Sequence, residues 1–390
     1  MCADLGERAN RMWRSRLFGF LAKFFGVPAE LDATAKISDC GSMKRSRLSI
    51  PAGLARTEPK LFADPRRGRR YHNPWGSPPL PGVRELVQWQ VSRHRGQKRQ
   101  RDAEIQVIAS PLAGLAKLPS DARLLWLGHA SFLVEVDGIR VLIDPIFGPA
   151  GRIIPRISPA ALSPAELPPL DAVLISHGHH DHLDPPSLRA LTQRFGPKLP
   201  FIVPTGLGRC LPRACRHVLE LDWWQTTRIS SVEICLVPAQ HWHRRITDHN
   251  RALWGGFVLR GSRTIYHSGD TGYFPGFRAI AEVIGTIDIA CLPLGAYLPR
   301  SIMRSQHMDP KESIQAFHDL SAAHFVGMHW GTFDLSDEAI DAGPDELRRE
   351  ITRQTLDSHH FHILWPGGSL GLDAQGSCQC HGMAMSDDGA

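Results

Sequence analysis

The chain has 390 residues, 42% of them hydrophobic and 22% charged, which suits one large globular domain or two smaller ones. No stretch reaches the roughly 18 uncharged apolar residues of a membrane span, and the eight cysteines are scattered, several within apolar runs, as buried free thiols are rather than a disulfide framework. The formal charge of +6 is uneven: residues 1–101 hold 21 Lys and Arg against 8 Asp and Glu, whereas residues 102–390 hold 24 against 31.

Residues 1–60 read as a basic tail with one short helix. The apolar stretch 17–27 follows Arg11, Arg14 and Arg16 and is interrupted by Lys23. That pattern fits an amphipathic helix lying on an anionic membrane surface; an ordinary docking helix or a solvated tail fits it as well. Residues 61–82 are rich in proline and arginine and read as an irregular segment, and residues 83–101 as a polar helix ending in a basic run. From about residue 122 the pattern changes. Strands are expected at 124–127, 132–136 and 139–143, the last two joined by Asp137-Gly138, a strong hairpin signal. A short buried strand follows at 173–176. Asp184-Pro185 then opens a helix, with Asp as N-cap and Pro in the first turn. Further strands are expected at 201–203, 218–221, 232–238, 253–259, 264–267 and 287–294. Asp309-Pro310-Lys311-Glu312 has the form of a capping box. Strands at 324–329 and 360–364 flank a helix at 344–354. Runs of strands with helices between them predict two sheets covered by helices. The hydrolase domain is expected to span 61–373 and a flexible tail 374–390. Cys378-Gln379-Cys380-His381, in that tail, has metal-binding residue types but no matching second half beside it.

The chemistry concentrates in His177-Gly178-His179-His180-Asp181-His182, between a buried strand and a capped helix. Imidazole and carboxylate on a short rigid loop are what a divalent transition metal requires. One loop does not complete two metal shells. His241, Asp270 and His329 each close a strand-like run and precede a polar or glycine-rich loop, and they are the candidates for the remaining ligands. Asp144 is a candidate acceptor for a metal-bound histidine. His129 reads equally as a supporting or a structural residue. His180, His243 and His267 are out of phase with these patterns, and Trp223, Trp224, Trp242 and Trp330 read as packing residues.

The order of these blocks resembles the metallo-β-lactamase superfamily, an α/β four-layer αββα sandwich. The detail resembles its N-acylphosphatidylethanolamine-hydrolysing phospholipase D branch. The resembling blocks run from residue 69 to about 370. They include Trp126-Leu127-Gly128-His129-Ala130, Gln240-His241-Trp242, Gly269-Asp270-Thr271-Gly272-Tyr273, Gly295-Ala296-Tyr297, Gln306-His307-Met308-Asp309-Pro310 and His329-Trp330-Gly331-Thr332-Phe333. The resemblance implies two zinc ions, one held by His177, His179 and His241, the other by Asp181, His182 and His329, with Asp270 bridging. It implies a metal-bridged hydroxide as nucleophile, steered by Asp181, and it places His307 near the substrate as proton donor or phosphate contact. His180 departs from the characterised animal members of the family, which have tyrosine there, and the basic N-terminal extension has no clear counterpart in the family pattern.

The expected activity is therefore zinc-dependent phosphodiester hydrolysis of N-acylphosphatidylethanolamine, yielding N-acylethanolamine and phosphatidic acid. The alternative is a hydrolase of the same fold acting on a soluble lactone or phosphate ester. The expected partner is a phospholipid, with peripheral membrane contact through the N-terminal segment. The expected location is the cytoplasm, at the inner face of a membrane where that contact is made. No recognised nucleic-acid motif appears and the catalytic half is acidic, which argues against nucleic acid.

Overall fold

The computed structural model describes residues 43–76, 82–95, 104–245 and 248–384. The expected amphipathic helix at 17–27 and most of the basic run after residue 95 lie outside the described residues. In chain order the sheet strands are β1 (Ser46–Arg47), β2 (Ala122–Gly128), β3 (Ser131–Val136), β4 (Ile139–Ile143), β5 (Ala172–Leu174), β6 (Pro200–Pro204), β7 (His217–Leu221), β8 (Gln225–Ile229), β9 (Val232–Val237), β10 (Gly256–Arg260), β11 (Thr264–His267), β12 (Ile287–Pro293), β13 (Ala322–Met328), β14 (Phe361–His362), β15 (Leu364–Leu372) and β16 (Cys378–Met383). They form two eight-stranded sheets. The first has the order β16-β15-β2-β3-β4-β5-β6-β7, the second β1-β8-β9-β10-β11-β12-β13-β14.

Period-two patterning explains how the sheets stack. Leu124, Trp126, Phe132 and Val134 share one core with Ile234, Leu236, Phe257 and Ile265 of the second sheet. The alternate residues Leu125, Leu127 and Leu133 join a separate core with Leu188 and Leu191 of α1 (Pro185–Phe195). Successive side chains of one strand thus feed opposite faces. On the far side, α2 (Gly276–Ile284), α3 (Pro310–Asp319) and α4 (Ala342–Arg353) contribute Phe277, Ile280, Ile314, Phe317, Leu347 and Ile351 to the second sheet's core. The result is the expected four-layer αββα sandwich. Both helix starts hold: Asp184 accepts from the Ser187 amide, and Asp309 with Glu312 closes a full capping box.

The boundaries differ from expectation at both ends. Residues before 61 are not all tail: β1 pairs with β8, and Leu54 is buried in the main core. A two-residue edge strand is too short to show a period. The segment after 373 is not a flexible tail as far as residue 384, because β16 pairs with β15, Leu370 opposite Cys380 and Leu372 opposite Cys378. The strand expected at 360–364 splits: β14 ends the second sheet, and the chain crosses at Ile363 into β15 of the first. Pro366, Gly367 and Gly368 disguise β15 in the sequence, since both residue types weaken a strand pattern. Among the described residues no helix is long and apolar enough to cross a membrane.

Candidate metal centre

One rim of the sandwich gathers the ends of several strands. His129 follows β2, Asp144 follows β4, and His177–His182 follows β5. His241, Asp270 and His329 follow β9, β11 and β13, and His307 precedes α3. His129, Asp144 and His329 adopt left-handed backbone at φ +54°, +44° and +64°, which turns each chain sharply off its strand. Gly269, at φ +59°, lets Asp270 into the site. A Cβ there would stand 2.9 Å from both the Gly255 carbonyl and the Ser176 side chain.

All seven residues expected as ligands converge here, in two groups. His177 Nε2 and His241 Nε2 each lie 3.0 Å from His179 Nδ1. With Asp270 these four offer donor atoms all within 4.8 Å of one another. The second group, on the same criterion, is His129, Asp181, His182 and His329. Asp270 faces both. Its Oδ1 is 3.2 Å from His182 Nε2 and from His329 Nε2, while its Oδ2 is 3.7 Å from His177 Nε2 and 3.9 Å from His241 Nε2. His307 Nδ1 lies 4.0 Å from the same Oδ2.

Neighbouring groups orient the rings. Asp144, fully buried, contacts His182 Nδ1 at 2.7 Å and also accepts from the Ser176 amide and hydroxyl. His241 Nδ1 meets the Gln306 carbonyl at 3.1 Å, and His177 Nδ1 meets the Ser176 hydroxyl at 3.0 Å. His129 Nε2 lies 2.9 Å from Asp181 Oδ2, so this histidine holds the carboxylate. His129 stands inside the second group, a place the sequence reading left open. Its only signal there was its position after a strand, in Gly128-His129-Ala130.

Burial and mutual contact shift the titration of the seven expected ligands. Burial holds His177 and His179 well below the ordinary imidazole range and lowers His241 to about 4 and His307 to about 3. For Asp181 and Asp270 burial works upward, but the imidazoles, His182 foremost, hold both carboxyls well below their usual range. For His182 and His329 burial works downward and is outweighed by Asp270 and Asp181, which lift His329 to about 9 and His182 well above its ordinary value. Several buried polar atoms at the rim have no hydrogen-bond partner: His182 Nε2 and His329 Nε2, which face Asp270 Oδ1, that oxygen itself, and His307 Nδ1 beside Asp270 Oδ2. Such a concentration of orphaned donor atoms fits bound metal.

Of the histidines set aside, His267 gives both ring nitrogens to backbone, to the Ala130 carbonyl and the Gly269 amide. His243 is buried beside Asp248 at 3.5 Å, and His180 packs against Gly151. Trp223, Trp224 and Trp330 are buried. Trp242 is less so, and it stands edge-on to His179 at 4.9 Å, on the wall of the site.

Residues 139–330 match the family model of the beta-lactamase superfamily domain. The chain is 30% identical over 323 residues to N-acyl-phosphatidylethanolamine-hydrolyzing phospholipase D 1 of Caenorhabditis elegans, covering 76% of this chain and 90% of that one. The chain belongs to the metallo-β-lactamase superfamily, in its N-acylphosphatidylethanolamine-hydrolysing phospholipase D-like branch. This metallo-β-lactamase-fold chain is also 33% identical over 251 residues to a metal-dependent hydrolase of Methanopyrus kandleri, covering 63% of this chain and 98% of that protein. A solved metallo hydrolase of Ignicoccus hospitalis shares its fold, with a TM-score of 0.50 and 22% identity, covering 67% of this chain and 98% of that one. The chain is a metal-dependent hydrolase, and the two histidine–aspartate groups at the rim are its candidate metal-holding residues.

Proposed function

We propose that this chain is a two-zinc phosphodiesterase that hydrolyses N-acylphosphatidylethanolamine to N-acylethanolamine and phosphatidic acid. In this reading His177, His179 and His241 hold one ion and Asp181, His182 and His329 the other, with Asp270 shared. The observation that supports it most is Asp270 itself, which turns one carboxylate oxygen to each group. When bound, paired divalent ions supply Lewis acidity toward phosphoryl oxygens and lower the pKa of water toward neutrality.

The chain's own residues supply position. Asp181, braced by His129 and with its side chain 15% exposed, faces the open side of the site, where it orients the attacking water. In the reaction the water oxygen bonds to phosphorus, and the phosphorus–oxygen bond to the N-acylethanolamine breaks. That oxygen takes a proton, and the phosphate stays with the diacylglycerol. Burial keeps His307 neutral, so of its two expected roles the phosphate contact suits it better: a neutral ring N–H donates to a phosphoryl oxygen. Similarity to the nematode phospholipase D supports a phospholipid substrate. The 21 basic residues among the first 101 suit contact with an anionic bilayer.

The test is turnover of vesicles containing N-acylphosphatidylethanolamine beside a soluble phosphodiester and a lactone. Release of N-acylethanolamine, abolished by chelation and restored by zinc, is the expected result. Turnover of a soluble ester or lactone with none on vesicles would overturn the lipid assignment.

A further inference from the structure

A second cluster of metal-binding residue types lies away from the rim. Cys378 and Cys380 are alternate residues of β16 and share one face of that edge strand. Opposite them stand His324 of β13 and His362 of β14. His362 pairs in register with Val326, two residues beyond His324, so both histidines face the same way. The cysteines belong to the first sheet and the histidines to the second, so the cluster spans the seam between the two layers. His324 precedes His329 by five residues along β13 and its exit, which puts the cluster about 16 Å from the rim at strand rise.

The spacings are those of a coordination shell. With zinc–sulfur bonds of about 2.3 Å and zinc–nitrogen bonds of about 2.0–2.1 Å, a tetrahedron has S–S edges of about 3.8 Å, S–N edges of about 3.5 Å and N–N edges of about 3.3 Å. Here Cys378 Sγ and Cys380 Sγ are 3.7 Å apart, Cys378 Sγ and His362 Nε2 are 3.7 Å apart, and His324 Nδ1 and His362 Nε2 are 3.1 Å apart. The donor atoms of His324, His362 and Cys378 all lie within 4.8 Å of one another. Cys380 Sγ is 3.4 Å from the other nitrogen of His362, which leaves Cys380 beside the trio as the candidate fourth ligand.

We propose that Cys378, Cys380, His324 and His362 form a structural site for a zinc-class ion, separate from the rim and fastening the C-terminal strand across the two sheets. Thiolate and imidazole together select a borderline-soft ion in tetrahedral geometry. The physical role follows from the topology. Among the described residues β16 is an edge strand whose sheet partner is β15, and a metal tying it to β13 and β14 makes binding energy part of folding energy. The sequence shows only half of this site, because its other half lies 16 and 54 residues before Cys378.

Cobalt substitution of the full chain tests this, because the seven rim residues offer only nitrogen and oxygen. The cobalt-loaded protein is expected to show thiolate-to-cobalt charge-transfer absorption. The band should vanish in Cys378→Ser/Cys380→Ser and persist in His241→Ala. Absence of the band in the loaded wild type, or its survival in the double cysteine variant, overturns the proposal. A second measurement needs no variant: alkylation of Cys378 and Cys380, read by peptide mass, should be blocked in the zinc-loaded protein and open after chelation. Equal labelling in both states overturns it.

Discussion

Asp144 and His182 are 2.7 Å apart, and both side chains are completely buried. The contact leaves His182 Nε2 as the free nitrogen, aimed at Asp270 and Asp181. A carboxylate on one ring nitrogen raises the basicity of the other and fixes the ring, which strengthens a metal ligand from behind. Asp144→Asn keeps the shape and removes the charge. It should weaken metal affinity by about 10–100-fold, read by competition with a chromogenic chelator, with activity recovering at high zinc. An unchanged metal affinity would refute this role for Asp144.

Asp270 and His307 are neighbours, yet they should fail differently. Asp270 touches both histidine groups, so Asp270→Ala should lose bound metal together with activity. His307 lies 4.0 Å from Asp270 and beside the rings of His241 and His329, is not among the expected ligands, and its Nδ1 has no hydrogen-bond partner. His307→Ala should therefore keep the wild-type metal content while kcat falls by about 100-fold, the scale of one lost transition-state donor. Elemental analysis beside turnover separates the two outcomes.

Much of the fold was legible because alternate burial writes itself into β2, β3 and β4, and because Asp137-Gly138 marks their hairpin. The site was legible where chemistry is local, in the six residues from His177 to His182. It was also legible where a histidine or aspartate closes an apolar strand, as at His241, Asp270 and His329. What stayed hidden depends on approach across long stretches of chain. His129 meets Asp181 from 52 residues away, and that contact has no periodicity. The pairing of β8 with β1 was obscured by polar residues and shortness. β15 was obscured by Pro366 and two glycines, and without β15 the segment carrying Cys378 and Cys380 resembles a tail.

The protonation of the metal-free site makes zinc uptake pH-dependent in a defined sense. Without metal, Asp270 and Asp181 outweigh burial at His329, raising it to about 9, and lift His182 well above its ordinary value. Both rings carry protons at neutral pH and must lose them to bind metal, whereas burial holds His177, His179 and His241 neutral and ready. Zinc binding at pH 7 should then release about two protons from the second group. Apparent affinity should rise with pH through neutrality and keep rising until at least about 9, where His329 gives up its proton. Calorimetry in buffers of different ionisation enthalpy measures the release, and a pH-independent affinity would contradict it.

Arg300 tests whether His307 must be held in place. Its guanidinium donates to the His307 carbonyl at 2.9 Å, pairs with Glu312 at 2.5 Å and approaches Asp309 at 3.4 Å, so it ties the segment carrying His307 to the capping box of α3. Among the described residues no hydrogen bond or ion pair joins it to the seven expected ligands, and the direct route for its effect on the reaction is through His307. Arg300→Ala removes the tie and leaves the His307 ring itself intact. A displacement of about 1 Å at a positioned group costs up to roughly 100-fold in rate, so kcat should fall by about 10–100-fold while metal content stays at the wild-type level. The decisive measurement is the double variant. If Arg300 acts by placing His307, adding Arg300→Ala to His307→Ala should cost almost nothing further. Fully additive losses would mean that Arg300 serves the enzyme some other way.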